Sequence, residues 1–412
     1  MSIPLLSALR RQPMMPLLVV VQVALACVIL ANVLFLLYRQ LAPMLVPDGI
    51  ARDQVLLVDG LVSREGGWKR TQIQAGADAL RTLPGVRSVS PTLGLPMKQS
   101  MTLSFELGSP AGIRVTVSGF AGERLVDTLG LRLAQGRDFG GSDHVPVDLI
   151  NGKGSPFKSG SPVIITAALA RHLFPDGNAL GSALSDNKDS ADNYVVVGIV
   201  EHLLRYQLGE LDDGKAEYAM LVPSRIETTP ILSYAVRVDP QRRDELREQV
   251  RATLQREFGS MQMDGIGIAV DDYEALRKAA FKPRRAAVWL LGSVSVLVTV
   301  ITALGIASLT AYWIEQRNRQ IGIRRALGAT RGQILRHFQA ENLLLTLLGL
   351  LLGLPLAYIA NLWLMQYYEL PRLPLHYLPI GAALLWGLGQ FAVFWPARRA
   401  AAVPPAVATR SA

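Results

Sequence analysis

Five histidines, His144, His172, His202, His337 and His376, are the first residues to ask for chemistry, and they stand at no metal-type spacing. No nucleophile elbow accompanies them, so catalysis finds no support in the pattern. The stretch 152–159, Gly-Lys-Gly-Ser-Pro-Phe-Lys-Ser, has the outline of a phosphate loop. Phe157, however, stands where a glycine must precede the lysine if backbone N–H groups are to wrap a phosphate. The one cysteine, Cys27, lies inside an apolar run, where it reads as a small packing residue. What remains is a recognition pattern: Glu315, Arg317, Arg319, Ile321, Gly322, Arg324, Arg325, Leu327, Gly328 and Thr330. Gly328 is a natural helix stop, and Thr330 followed by Gln333 is a capping box, so the segment reads as two helices. Ile321, Ile323 and Leu327, with Ile334, leave an apolar surface amid arginines. On the pattern alone, a loop anchored to lipid by its arginines and a helix that docks on another protein stand side by side.

The elements that must position this segment are long and apolar. Half of the 412 residues are hydrophobic, too many for an ordinary soluble domain and too few for a chain wholly in a membrane. Four stretches could cross a hydrocarbon layer about 30 Å thick. The uncharged runs 16–37, 286–314 and 342–368 are the clear ones, and 378–395, with Trp386 and Trp395, is the shortest. The spans are placed at 16–38, 286–314, 338–368 and 378–396. A secretory signal is the competing reading of the first, since Arg10 and Arg11 precede it. Its apolar run is too long for that, and Tyr38-Arg39-Gln40 is no small-residue cleavage site.

Charge then orients the spans, because cytoplasmic flanks collect Lys and Arg. Residues 1–15, 314–337 and 397–412 hold eleven basic residues against one acidic, Glu315, while the rest of the chain holds 31 against 32. The whole net charge of +9 therefore sits beside the spans. Both termini (1–15 and 397–412) and the segment 315–337 are expected in the cytoplasm. Juxtamembrane clusters of this kind suit acidic lipid headgroups, and nucleic acid is not needed as a partner.

Residues 39–285 are expected outside the cytoplasm as an α+β domain. Near its start, 54–59 reads as a strand, 71–83 as a helix and 86–90 as a strand. Near its end, 233–238, 242–258 and 266–270 repeat that order. Two β-α-β units suggest an α+β platform with a β-rich insert at about 95–228. The insert shows strand patterns at 113–117, 162–165 and 194–200 and a short helix at 166–173.

The run E-x-R-x-R-x-I-G-I-R-R-A-L-G-A-T-R at 315–331, continued by Glu341, Gly349 and Gly353, resembles the FtsX-like and MacB-like permeases of the ABC superfamily. Pro396-Ala397-Arg398-Arg399-Ala400-Ala401 matches as well, although Val403-Pro404-Pro405 lacks the acidic residue the family usually places there. Gly136-Arg137-Asp138-Phe139, 163–166, 168–175, Gly181 and 196–200 resemble the MacB-type periplasmic core domain. The resemblance implies a four-span protein of the bacterial inner membrane, with a periplasmic domain between the first and second spans. It implies that a cytoplasmic ABC ATPase engages 315–336 as the coupling helix, the ten residues named above being the coupling candidates. No cofactor is expected in this chain, ATP and magnesium belonging to the partner. A second permease copy or a related permease, lipids and a periplasmic adaptor complete the expected partners. The function implied is mechanotransmission for export of peptides, antibiotics, lipids or other hydrophobic compounds. The alternative is a non-transporting, FtsX-like transducer acting on a periplasmic hydrolase or sensor.

Overall fold

The computed structural model describes residues 14–98, 103–151, 160–185, 193–205, 215–368, 373–375 and 377–402. Two compact units divide the chain: Met1–Ala42 with Pro283–Ala412, and Pro43–Lys282. The first helix, α1 (Met14–Leu45), is a 32-residue rod with Pro43 in its last turn, so it ends where proline removes a backbone donor.

The Pro43–Lys282 unit begins with β1 (Val55–Val62) and β2 (Trp68–Lys69). Helix α2 (Arg70–Arg81) turns Ile73, Gly76, Ala77 and Leu80 inward at helical spacing and leads to β3 (Val86–Leu93). The insert follows: β4 (Leu103–Gly108), β5 (Arg114–Gly122), α3 (Leu125–Leu129), β6 (Leu133–Gly136), β7 (Val145–Asp148) and β8 (Pro162–Thr166). Helix α4 (Ala167–Leu173) comes next, its first turn capped by the Thr166 hydroxyl. Strands β9 (Ala183–Ser185), β10 (Asn193–Val200), β11 (Ala219–Thr229) and β12 (Ile231–Val238) then lead to α5 (Arg243–Phe258), β13 (Ala269–Asp272) and α6 (Tyr273–Ala280).

The strands join as β13-β1-β12-β3, and β3 passes by a short antiparallel pairing to β5. The first four are the two β-α-β units interleaved, with α2 and α5 carrying the apolar faces that the sheet covers. Trp68 is the largest side chain sealed between them. It is fully buried, its indole N–H donates to the Leu61 carbonyl at 2.9 Å, and its ring meets Phe258 edge-on at 4.8 Å. In the insert, β5-β4-β9-β10-β8-β11 follow one another, and a parallel β11–β5 pairing closes them into a ring. The insert thus shares a sheet with the platform through β3–β5.

Two strands differ most from expectation. The last strand is Ala269–Asp272 and not 266–270, because Asp271 and Asp272 pair with Leu57 and Leu56 of β1. The strand β11, eleven residues long, has no counterpart among the strands expected from pattern. Helix α6, capped by Asp272, directly precedes the second apolar stretch.

In the other unit, α7 (Lys282–Gln316), α8 (Asn318–Ala326), α9 (Arg331–Tyr368) and α10 (Tyr377–Ala402) follow. With α1, the helices α7, α9 and α10 are long and apolar enough to cross a membrane, giving a multi-pass protein with a large α+β unit between its first and second spans. Glycine sets the closest approach. A Cβ on Gly349 would stand 2.7 Å from the Val23 side chain, and one on Gly353 would stand 2.7 Å from Cys27 Cβ and 2.9 Å from the Ala24 carbonyl oxygen. The pair lies one turn apart on α9, so only a small-residue face lets α1 lie against it. Amides tie the same helices: Gln22 donates to the Thr302 carbonyl at 3.2 Å and Asn32 to that of Ala357 at 3.1 Å.

Candidate functional site

The segment 315–336 is built around one turn. Helix α8 stops where Gly328 takes φ +97°, a conformation open to glycine and strained for other residues. The Ala329 N–H then donates back to the Arg324 carbonyl at 3.0 Å, the six-to-one bond of a Schellman end. Two residues on, the Thr330 N–H donates to Gln333 Oε1 at 3.0 Å, and the Gln333 N–H donates to Thr330 Oγ1 at 3.3 Å. The second helix of the segment is not a separate piece. Arg331 opens α9, which runs unbroken for 38 residues through the third apolar stretch.

The apolar surface expected of the segment divides in two. Ile321 and Ile334 are buried, packed with Phe338 into the cluster that also holds Val19 and Val23. Ile323 is 48% exposed and Leu327 83% exposed, beside exposed Arg324. The outward face is therefore Ile323, Arg324 and Leu327, with Glu315, Gly328 and Thr330 also exposed, while Gly322 is buried. The side chains of Arg319 and Arg325 lie outside the described residues, as does the whole stretch 152–159.

Arg317, grouped by its position with the docking arginines, turns inward. Its Nη1 meets Glu341 Oε1 at 2.8 Å, and its guanidinium lies 4.6 Å over the Trp313 ring. Glu341 is nine-tenths buried, so this pair braces the end of α7 against α9 across 24 residues of chain. A buried pair adds little net stability, yet removing one partner strands the other charge and costs about 3–5 kcal/mol. Such a pair fixes geometry more than it adds stability. Glu341 was visible in the sequence as part of a motif, but nothing in the spacing pointed to Arg317 as its partner. The arrangement is a rigid turn with an exposed apolar-and-basic tip, held by a buried ion pair.

Residues 292–405 match the family described as FtsX-like permease C-terminal, a span that takes in this turn. The macrolide export ATP-binding/permease protein MacB of Shewanella oneidensis is 26% identical over 351 residues, covering 84% of this chain and 50% of that protein. The ABC transporter permease YknZ of Bacillus subtilis is 26% identical over 212 residues, 49% of each chain. The chain spans about half the length of the curated MacB relatives it matches. The periplasmic region of MacB from Actinobacillus actinomycetemcomitans aligns with 57% of this chain and 95% of its own length, at 16% identity and a TM-score of 0.36. Residues 292–405, over the last three apolar helices, thus carry an FtsX-like permease C-terminal domain, and the chain is similar to MacB-type ABC permeases along most of its length.

Proposed function

We propose that this chain is the permease subunit of an ABC transporter in the bacterial inner membrane, with both termini in the cytoplasm, and that it converts ATP hydrolysis by a separate ATPase into movement of its periplasmic domain. The observation that carries this reading is the exposed tip Ile323-Arg324-Leu327 on a turn that Gly328 shapes and Arg317–Glu341 braces. A tip of this kind can seat in a groove of another chain, and its rigid backing passes displacement to α7 and α9. In this reading the chain is itself non-catalytic and needs no cofactor, ATP and magnesium being bound by the partner. It works as a pair, with a second copy or a related permease, among lipids and with a periplasmic adaptor. The cargo class is peptides, antibiotics, lipids or other hydrophobic compounds, to which the macrolides named in the relatives belong.

The test is an affinity pull-down of the detergent-solubilised chain from its own cells, beside a Gly328→Asp, Arg324→Glu variant. The expected result is a Walker-motif ATPase with the unaltered chain and at least about tenfold less with the variant. A folded, membrane-inserted variant that retains the ATPase would remove the tip from the docking role. Recovery of a periplasmic hydrolase with the ATPase, and no effect on efflux, would move the reading to a transducer.

A further inference from the structure

Burying a carboxylate is costly unless positive partners surround it, so the most buried acids mark places where geometry has been fixed. Among the described acidic residues of the Pro43–Lys282 unit, Asp48 at 2% exposure and Asp272 at 7% are the two that are buried. Both hold the same eight-residue helix, α6, which directly precedes the second membrane span. Asp272 caps it, accepting from the Glu274 N–H at 2.9 Å, and pairs with Arg243 Nε at 3.1 Å. Asp48, three residues after α1 ends, takes the other side. The Tyr273 hydroxyl donates to its Oδ2 at 3.1 Å, Arg277 Nε stands 2.9 Å from the same oxygen, and Arg52 Nε lies 2.9 Å from both oxygens.

Arg277 then reaches past Asp48. Its Nη2 donates to the Met44 carbonyl at 3.1 Å, a last-turn carbonyl of α1 that has no partner within the helix, and its guanidinium lies 4.8 Å over the Phe281 ring. Phe281 is buried with Leu204 and Ala216 against Met44 and Val46. Burial first, and the Asp48 charge next, push the Tyr273 phenol well above its ordinary value, so the hydroxyl remains a donor at any physiological pH. Replacing a buried ion pair by apolar groups of similar volume is often neutral or stabilising, so stability alone is a weak reason for ions here.

We infer that Asp48, Tyr273 and Arg277 form a clamp that joins the polypeptide leaving the first span to the polypeptide entering the second, so that the two crossings move as one body. This rests on the proposed transmission of movement for its purpose, but the clamp itself stands on the contacts alone. Asp48 and Arg277 are positioning residues: neither touches cargo or nucleotide.

The experiment is hydrogen–deuterium exchange on the full-length chain in membranes, comparing unaltered protein with Asp48→Asn, Tyr273→Phe and Asp48→Glu. Asp48→Asn is expected to raise exchange of 43–52 and 273–281 together, by about tenfold, while β1 and β12 stay protected. Tyr273→Phe should give a smaller rise in the same two segments, and Asp48→Glu should restore most of the protection. A rise in one segment only, or in neither, overturns the clamp. A rise throughout the unit does so too, since Asp48 would then hold the fold in general. With the ATPase present, Asp48→Asn should keep ATP hydrolysis within about twofold while cargo movement falls about tenfold. Loss of both together would overturn the role in transmission. Absence of any ATPase would defeat the proposed function and leave the exchange result to decide the clamp.

Discussion

Helices α1 and α7 are alike in hydropathy and length, with 32 and 35 residues and no charge across their apolar runs, yet half of the apolar window of α1 is covered by neighbouring helices and only 11% of that of α7. On α1, Val23 and Cys27 are sealed, and Asn32 spends its amide on another helix. On α7, Trp289 is 81% exposed, with Leu290, Leu297 and Leu304 open beside it. The difference teaches that hydropathy reports the solvent a helix was selected for and is silent about its neighbours. Lipid tails are as apolar as leucine, so contact between membrane helices is decided by small residues that admit a backbone and by amides that find a carbonyl.

The comparison breaks most readily at glycine. Gly353→Val puts a branched side chain against Cys27 and the Ala24 carbonyl, neither of which is a flexible tip, and should destabilise by about 1–3 kcal/mol. The same change at Gly292 on α7, where nothing lies within 4 Å, should stay within about 0.5 kcal/mol. Heating the detergent-solubilised chain while following thiol labelling of Cys27, its one cysteine and fully buried, reads both. An equal cost at the two positions would erase the distinction. Next in size is Asn32→Leu, which removes the bond to Ala357 and should cost about 0.6 kcal/mol in the same assay, as interhelical hydrogen bonds in membranes generally do. The smallest effect is expected from Leu297→Ala, within about 0.5 kcal/mol. A loss above about 1 kcal/mol there would mean that α7, open in the single chain, is covered by protein in the assembled one.

Legibility followed the kind of interaction. The apolar runs were visible because a membrane demands uninterrupted length, but their ends were not. The helix opened by the Thr330–Gln333 box and the third apolar run proved to be one helix, α9, joined through charged residues that carry no apolar signal, and α10 continues past Pro396 to Ala402. The two β-α-β units showed through alternation and turn residues, and the structure interleaves them in one sheet. Strand β11 escaped because Pro223 and Arg225 interrupt its pattern. It survives because it changes neighbours there, pairing with β5 up to Pro223 and with β7 from Ser224 onward. At the candidate site the local features, the Gly328 stop and the Thr330–Gln333 box, could be read from adjacent residues. The inward turn of Arg317 could not, since its partner is 24 residues away and every arginine in the run looks alike until the fold separates them.

The unbroken length of α9 has a mechanical corollary. Thirty-eight residues at about 1.5 Å each make a beam about 57 Å long, nearly twice the hydrocarbon thickness of about 30 Å. Rotating such a beam by about 5° displaces its tip by about 5 Å relative to a fulcrum at the far end, a shift as large as one helical turn. In the proposed reading, a push delivered at the Gly328 turn would be geared along this beam, with the ratio set by where along its length the neighbouring helix bears.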